Sequence, residues 1–328
     1  SKLSKMFGAV LVSGPCQVGK TTMLKKGVLL SISGHAHWGI PVMNKDNVGY
    51  LTCPALCEEP FKYTLVTLKA NEYKIEERCL NLKELGLSDY HVHTEFAYCR
   101  TNVELAANIE RAKEFGLKRI AFTEHASQLH VEEKDYWSAN FVNEPDIILQ
   151  NKNTAWNRMK QYKEAVSKYR SNTVLAGLEV EVDCKGNLAI PKEDLSGWDI
   201  LVGAVHYLPS KYEKGSITGF MWANEALLCS GIHVLAHPFR YFIRNKLPVP
   251  VELYKPLAEM LAYYKVAAEI NYHINENDPR FFEICLERNV SVSLGSDAHC
   301  LSEIGSFQRH LELLKQICQP ERLKDVLV

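Results

Sequence analysis

Eleven side chains of the kinds that hold metal ions stand at or beside the ends of short apolar runs in this 328-residue chain. His91 and His93 lie in DYHVHTE, with Asp89 just before and Cys99 just after them. Glu124 and His125 close RIAFTEH, Glu179 follows TVLAGL, and His206 and His237 end ILVGAVH and IHVLAH. Asp297 and His299 close SVSLGSDAH. Runs rich in β-branched and apolar residues read as buried strands, so their polar ends should gather at one rim of a sheet. Neutral imidazoles and carboxylates brought together there are the donor set of a multinuclear hydrolytic metal site. One histidine at a strand end is usually a hydrogen-bonded core residue. Six strand ends bearing His, Glu or Asp point instead to function.

The elements that must position these groups begin near residue 88. Strands are expected at 90–94, 119–124, 173–182, 200–206, 233–237, 267–271 and 291–295, alternating with helical patterns. In VELAANIERAKEFG apolar residues recur at three and four, with Asn102 as a plausible N-cap and Gly116 suited to the stop. WNRMKQYKEAVSKYR, EALLCSG and PLAEMLAYYKV are further helices, as is DPRFFEICLERN, which opens on the favourable pair Asp278 and Pro279. Seven β-then-α units in about 240 residues suit a closed parallel barrel, whose chemistry sits at the C-terminal strand ends. Residues 128–153 break the rhythm with no clean period, and read either as a lid over the barrel mouth or as a surface excursion. The domains expected are an N-terminal extension, 1–87, and a catalytic barrel, 88–328.

Composition excludes some classes. Lys and Arg number 38 and Asp and Glu 39, so the formal net charge of −1 gives no electrostatic argument for nucleic acid or an anionic membrane as a partner. No apolar stretch approaches the roughly 20 residues that span a bilayer. The short run FGAVLVSG after two lysines superficially imitates a secretory signal, but no A-x-A site follows. The ten cysteines show no compact framework spacing and read as reduced thiols of a cytoplasmic protein.

Taken together, the barrel motifs resemble the PHP (polymerase and histidinol phosphatase) family of metal-dependent phosphoesterases. HVHTE, TEH, GLE, the lone His206, AHP and GSDAH occur in the family's order, from about Ser88 to Val328. The resemblance implies a distorted (β/α)7 TIM-like barrel, α/β in class, with a small mostly-β N-terminal extension. It implies two to three divalent ions (Zn, Mn or Fe). His91, His93, Glu179 and Asp297 would hold one, and Glu179, His206 and His237 a second. His125, His299 and Cys99, which stands where many relatives have His, would hold a third. Cys99 as a thiolate would soften that third site, whereas as a small buried hydrophobe it would leave the site weak. Water bridging two cations has a lowered pKa and would attack phosphorus in line. Asp297, Arg240 and His299 are the candidates for catalytic work. The Arg240 guanidinium could take two phosphate oxygens, an exposed ion pair being its bland alternative. Glu181, Asp89 and Glu124 are candidate supports for the ligands.

Ahead of the barrel, YTLVTLK and YKIEERCL alternate around Ala70-Asn71-Glu72 and read as a β-hairpin. GPCQVGKT, Gly14 to Thr21, fits the phosphate loop of P-loop ATPases, but no strand ending in a Walker-B Asp follows, so Lys20 and Thr21 lack a scaffold for ATP. SGHAHWG resembles the G-H-x-H motif near the end of calcineurin-like metallophosphoesterases, and leaves His35 and His37 without their usual partners. The expected function is hydrolysis of a small phosphomonoester, with histidinol phosphate the first candidate from the resemblance to the histidinol-phosphatase branch. The rivals are a PHP phosphodiesterase or nuclease, and a non-catalytic metal-stabilised scaffold. No membrane partner is expected, and oligomeric state is not legible.

Overall fold

In the computed structural model, the described residues are 13–15, 30–34, 40–45, 48–53, 62–69, 72–79, 85–319 and 322–328. Two units are present, Ser1–Glu84 and Leu85–Val328. The first contains strands β1 (Ser13–Pro15), β2 (Leu30–Gly34), β3 (Ile40–Lys45) and β4 (Val48–Thr52) in a sheet of order β1-β2-β4-β3. The pairs β1/β2 and β2/β4 are parallel, and β3/β4 is antiparallel. β5 (Lys62–Lys69) and β6 (Glu72–Cys79) form the hairpin read from the sequence, with Lys69 opposite Glu72. Gly14 and Pro15 of GPCQVGKT belong to β1. Residues 16–21, with Lys20 and Thr21, and the histidines His35 and His37 lie outside the described residues.

The second unit is built on β7 (Ser88–Val92), β8 (Arg119–His125), β9 (Val174–Val180), β10 (Ile200–Gly203), β11 (Val234–Leu235), β12 (Ala267–Asn271) and β13 (Val292–Gly295). They form one seven-stranded parallel sheet in sequential order. Their near-continuous apolar runs are what a parallel sheet buried on both faces requires. The sheet closes on itself: the Asp297 N–H donates to His91 O at 2.7 Å and the His93 N–H to Ala298 O at 3.1 Å, joining β7 to the end of β13. The unit is therefore a seven-stranded β/α barrel. Every strand ends with its C-terminus at the same mouth.

Helix boundaries follow local hydrogen bonding. The helix Leu105–Phe115 ends at Gly116, whose φ of 72° lets its N–H return to the Ala112 and Lys113 carbonyls. Its N-cap is Glu104 and not Asn102. The Asn102 Oδ1 instead accepts the Leu301 N–H at 3.1 Å, tying this loop to the one that carries His299. Asp278 caps Pro279–Glu287 as read, accepting the Arg280 N–H. EALLCSG turns out to be the end of a longer helix, Ile217–Cys229, capped by the Ser216 hydroxyl. WNRMKQYKEAVSKYR shortens to Met159–Ser167. Residues 128–153 form three short helices, Glu133–Trp137, Asn140–Asn143 and Asp146–Gln150. Their buried Val131, Tyr136, Phe141, Val142 and Ile148 pack with Ala189. The segment is thus a folded wall beside the mouth, with the Tyr136 ring 5.7 Å from that of His125.

Two histidines serve the fold. His130 is fully buried, and neither ring nitrogen has a hydrogen-bond partner among the described residues. His310 donates from Nε2 to Gly295 O at 3.0 Å. Burial pushes the pKa of each ring from 6.5 down to about 4. Between those values the unfolded chain binds more protons than the folded one, so stability is full above the ordinary pKa and falls as pH drops through the window. Denaturant midpoints of the barrel should therefore fall from about pH 7 to about pH 5, and His130→Gln should flatten that fall. An equally steep fall in the variant would remove His130 as a source.

Candidate metal centre

Glu179, in β9, stands at the centre of the mouth. Its Oε1 lies 3.1 Å from His237 Nε2, 3.4 Å from His206 Nε2 and 3.6 Å from His91 Nε2. Its Oε2 lies 2.5 Å from His125 Nδ1 and 3.9 Å from His93 Nε2. Asp297 closes the other side, with Oδ1 2.9 Å from His93 Nε2 and 3.7 Å from His91 Nε2. The strands bring all of these together: His125 ends β8, His206 and His237 follow β10 and β11, and Asp297 follows β13. His93 stacks between His125 and His299, with ring centroids 4.1 and 4.4 Å away.

A carboxylate or carbonyl behind four of the rings selects their tautomer. His91 Nδ1 pairs with Glu269 Oε1 at 2.8 Å, His93 Nδ1 with Glu124 Oε1 at 3.1 Å and His206 Nδ1 with Glu181 Oε1 at 2.9 Å. His299 Nδ1 pairs with the Asp297 carbonyl at 2.7 Å. Each ring donates from Nδ1 and keeps a lone pair on Nε2, the arrangement of metal-ligating histidines. The supports are themselves held. Thr94 donates to Glu124 Oε2 from its N–H at 2.9 Å, and Ser127 Oγ donates to Glu181 Oε2. Glu269 also accepts the His237 N–H at 2.7 Å and the Asn271 amide at 3.0 Å. Glu269 was not among the residues singled out from the sequence. Its one signal is a buried acid inside the short strand AAEIN.

These residues fit divalent cations on three counts. Two atoms each bound roughly 2.0–2.2 Å from one tetrahedral ion lie roughly 3.3–3.6 Å apart. That is the spacing of Glu179 Oε1 from His91 and His206, and it is long for a hydrogen bond. Second, His91 Nε2 is buried without a hydrogen-bond partner among the described residues, and such an orphan is costly. Third, Glu124, Glu179, Glu181, Glu269 and Asp297 are all buried, while Arg240 is the one buried Lys or Arg among the described residues. Buried anionic charge on that scale calls for cations. Burial opposes a charged ring at His91, yet Glu269, Asp297 and Glu179 raise its pKa well above the ordinary value. His237 goes the other way, held well below by burial and by Arg240.

The backbone is strained where candidate ligands are presented. His237 and Asp297 have φ of 28° and 54°, and Phe239, after the His-Pro pair, has 70°. Non-glycine residues in this region cost about 1–3 kcal/mol each, and they cluster where a side chain must be aimed. The bonds from His237 N–H to Glu269 and from Asp297 N–H to His91 O hold them there.

Other expected residues fall as follows. Arg240 is buried, with Nη1 donating to Asp297 Oδ2 at 2.7 Å, so it is no exposed ion pair. Asp89 touches no ligand side chain. It accepts the N–H groups of His91, Ser296 and Gly305 at 3.4, 3.0 and 3.2 Å, and burial pushes its pKa up to about 6 despite them. Cys99 Sγ lies 3.6 Å from His125 Nε2 and 3.7 Å from the Gln128 amide. Burial, with Glu124 next, pushes its thiol up to about 12. Among the described residues four groups of three have potential ligand atoms within 4.8 Å of one another: His91/His93/Glu179, His125/Glu179/His206, His93/His125/His299 and His273/His299/Glu303. Cys99 belongs to none of them.

The sequence matches the PHP-domain family over residues 89–273, more than half of the chain. The chain belongs to that family. It is 27% identical over 251 residues to a probable phosphatase of Clostridium novyi (strain NT), covering 72% of this chain and 88% of that one. It is 25% identical over 250 residues to the probable phosphatase YcdX of Escherichia coli O81 (strain ED1a), covering 73% and 89%. Among solved structures it is similar to a histidinol phosphate phosphatase of Lactococcus lactis complexed with zinc, L-histidinol and phosphate. That pair is 16% identical, with a TM-score of 0.45 over 71% of this chain and 94% of the other. No described helix is long and apolar enough to cross a membrane.

Proposed function

We propose that residues 88–328 form a metal-dependent phosphomonoesterase whose ligands are His91, His93, His125, Glu179, His206, His237, Asp297 and His299. The single observation that carries this reading is Glu179, ringed by five imidazoles at 2.5–3.9 Å. Divalent cations held there supply Lewis acidity and a water acidic enough to act near neutral pH. Glu269, Glu124 and Glu181 orient His91, His93 and His206 so that Nε2 faces the centre. Asp297, gripped by Arg240, stays ionised and serves as a ligand in preference to a leaving-group acid. The remaining Arg240 donors take phosphoryl oxygens, adding fixed positive charge where negative charge develops. The wall formed by residues 128–153, with Tyr136 against His125, favours a small substrate over a polynucleotide.

The test is phosphate release by the purified chain supplied with Zn, Mn or Fe, from histidinol phosphate first, then from other phosphomonoesters, with a phosphodiester alongside. Release from a monoester with two or more ions bound is the expected result. Arg240→Lys should keep those ions and lower kcat/KM by about 100-fold. Turnover confined to the diester would replace this reading with a nuclease-like one. A chain that takes up no metal would end it.

A further inference from the structure

Beyond the inner cluster, a second histidine and a further glutamate meet His299 at the rim of the mouth. His273 follows β12 and is anchored by its N–H, which donates to Asn271 Oδ1 at 2.9 Å. Its ring stacks on that of His299, with centroids 4.4 Å apart and planes at 18°. Glu303 ends the short helix Leu301–Glu303 and is fixed by the N–H groups of His299 and Cys300, which donate to Oε2 at 2.7 and 3.1 Å. That leaves Oε1, which faces His273 Nδ1 at 3.5 Å. The separation is long for a hydrogen bond and falls within the roughly 3.3–3.6 Å expected of two ligands on one tetrahedral ion.

We propose that His273, His299 and Glu303 hold a divalent transition-metal ion at the outer edge of the centre, in place of a third ion coordinated by Cys99. The proposal rests on the metal-centre reading for its context, but its donors are largely separate. His93 and His125 each belong to two of the close groups and already face Asp297 and Glu179, whereas His273 and Glu303 belong only to the outer one. His299 commits Nδ1 to a carbonyl and has one nitrogen left, so it serves the inner position or the outer one. Two imidazoles and a carboxylate suit Zn, Mn and Fe(II) alike. All three side chains are partly exposed, at 17, 12 and 36% for His273, His299 and Glu303. Three protein donors open to solvent leave coordination positions for water or for anionic oxygens of a substrate.

The experiment separates the outer ion from the inner ones. Co2+ is titrated into the Glu179→Gln variant, folding being verified by circular dichroism, with binding read by calorimetry and by the d–d absorption of the ion. About one Co2+ should bind, with its affinity lowered at least about tenfold by adding His273→Ala or Glu303→Gln and unaffected by Cys99→Ala. The Glu303→Gln change keeps an oxygen to accept the two backbone N–H groups. Elemental analysis of the otherwise native chain provides the second arm, which holds if Glu179→Gln does not fold. There His273→Ala should lose one equivalent and retain the others. Co2+ binding indifferent to His273 and Glu303, or lost with Cys99, overturns the outer site while leaving the phosphatase reading intact. Loss of every equivalent in His273→Ala would make His273 a support of the inner cluster and likewise overturn it. A native chain that binds no metal would overturn both.

Discussion

Exchanging Glu179 for glutamine should cut phosphate release on the order of a thousandfold and strip the chain of its inner ions, since the carboxylate is shared by five rings. The substitution is nearly isosteric, so the barrel has little steric reason to rearrange. What changes is charge and donor chemistry. One amide oxygen replaces two anionic oxygens, and the amide nitrogen would point donor hydrogens at His125 or at His206, His237 and His91. Loss of one preorganised electrostatic group already costs about 10²–10³ in turnover, and loss of support for a ligand about 10–100-fold in metal affinity. Elemental analysis and a phosphate-release assay on the same preparation decide the matter. A variant with native metal content and native turnover would dismiss Glu179 from the centre of the site.

The second large effect is expected at a residue with no side chain. Gly295 ends β13 beside Glu269 and His91 of the candidate metal centre. A Cβ there would collide with Glu269 Oε1, and would sit 2.7 Å from Glu269 Cδ and 2.8 Å from His91 Cβ. Glu269 would have to swing away, releasing His91 Nδ1 and the His237 N–H together. Gly295→Ala should therefore cost about 1–3 kcal/mol of overpacking and lower metal affinity by about 10–100-fold. Because removing the Glu269 side chain relieves that part of the clash and leaves only the contact with His91 Cβ, the double variant Gly295→Ala/Glu269→Ala should lose less metal affinity than the sum of the two single losses. Such non-additivity is the signature of two residues acting through one contact. Additive losses in the cycle would show that Gly295 acts elsewhere.

Much of the centre was legible because of how parallel barrels are built. Strands buried on both faces must be apolar throughout, so a polar residue at the end of a run stands out, as His125 does after RIAFTE and Asp297 after SVSLGS. Supports within a strand have no such contrast. Glu181 was readable from Glu179 by the two-residue repeat, whereas Glu269 has no ligand on its own strand to point to it. Its partners, His91 and His237, come from β7 and from the end of β11. The wall formed by residues 128–153 was opaque for a related reason. Its helices are four or five residues long, too short to show a period, and its apolar side chains answer to Ala189 and Tyr207, distant in sequence. Asn102 had the chemistry of a cap, but a longer-range bond to Leu301 claimed it. His273 lies beyond the end of β12, and only the stack on His299 and the approach of Glu303 give it a role.

The ring of buried acids has a thermodynamic consequence. In the bare chain the five buried carboxylates are balanced by one guanidinium and by protonated rings such as His91, and the unfolded chain returns all of them to water. Cations that bind only the folded barrel add to its stability by linkage, about 2.7 kcal/mol for one site when free ion exceeds Kd a hundredfold. If the centre binds its cations as proposed, the melting temperature of this barrel should rise with the concentration of free metal around it.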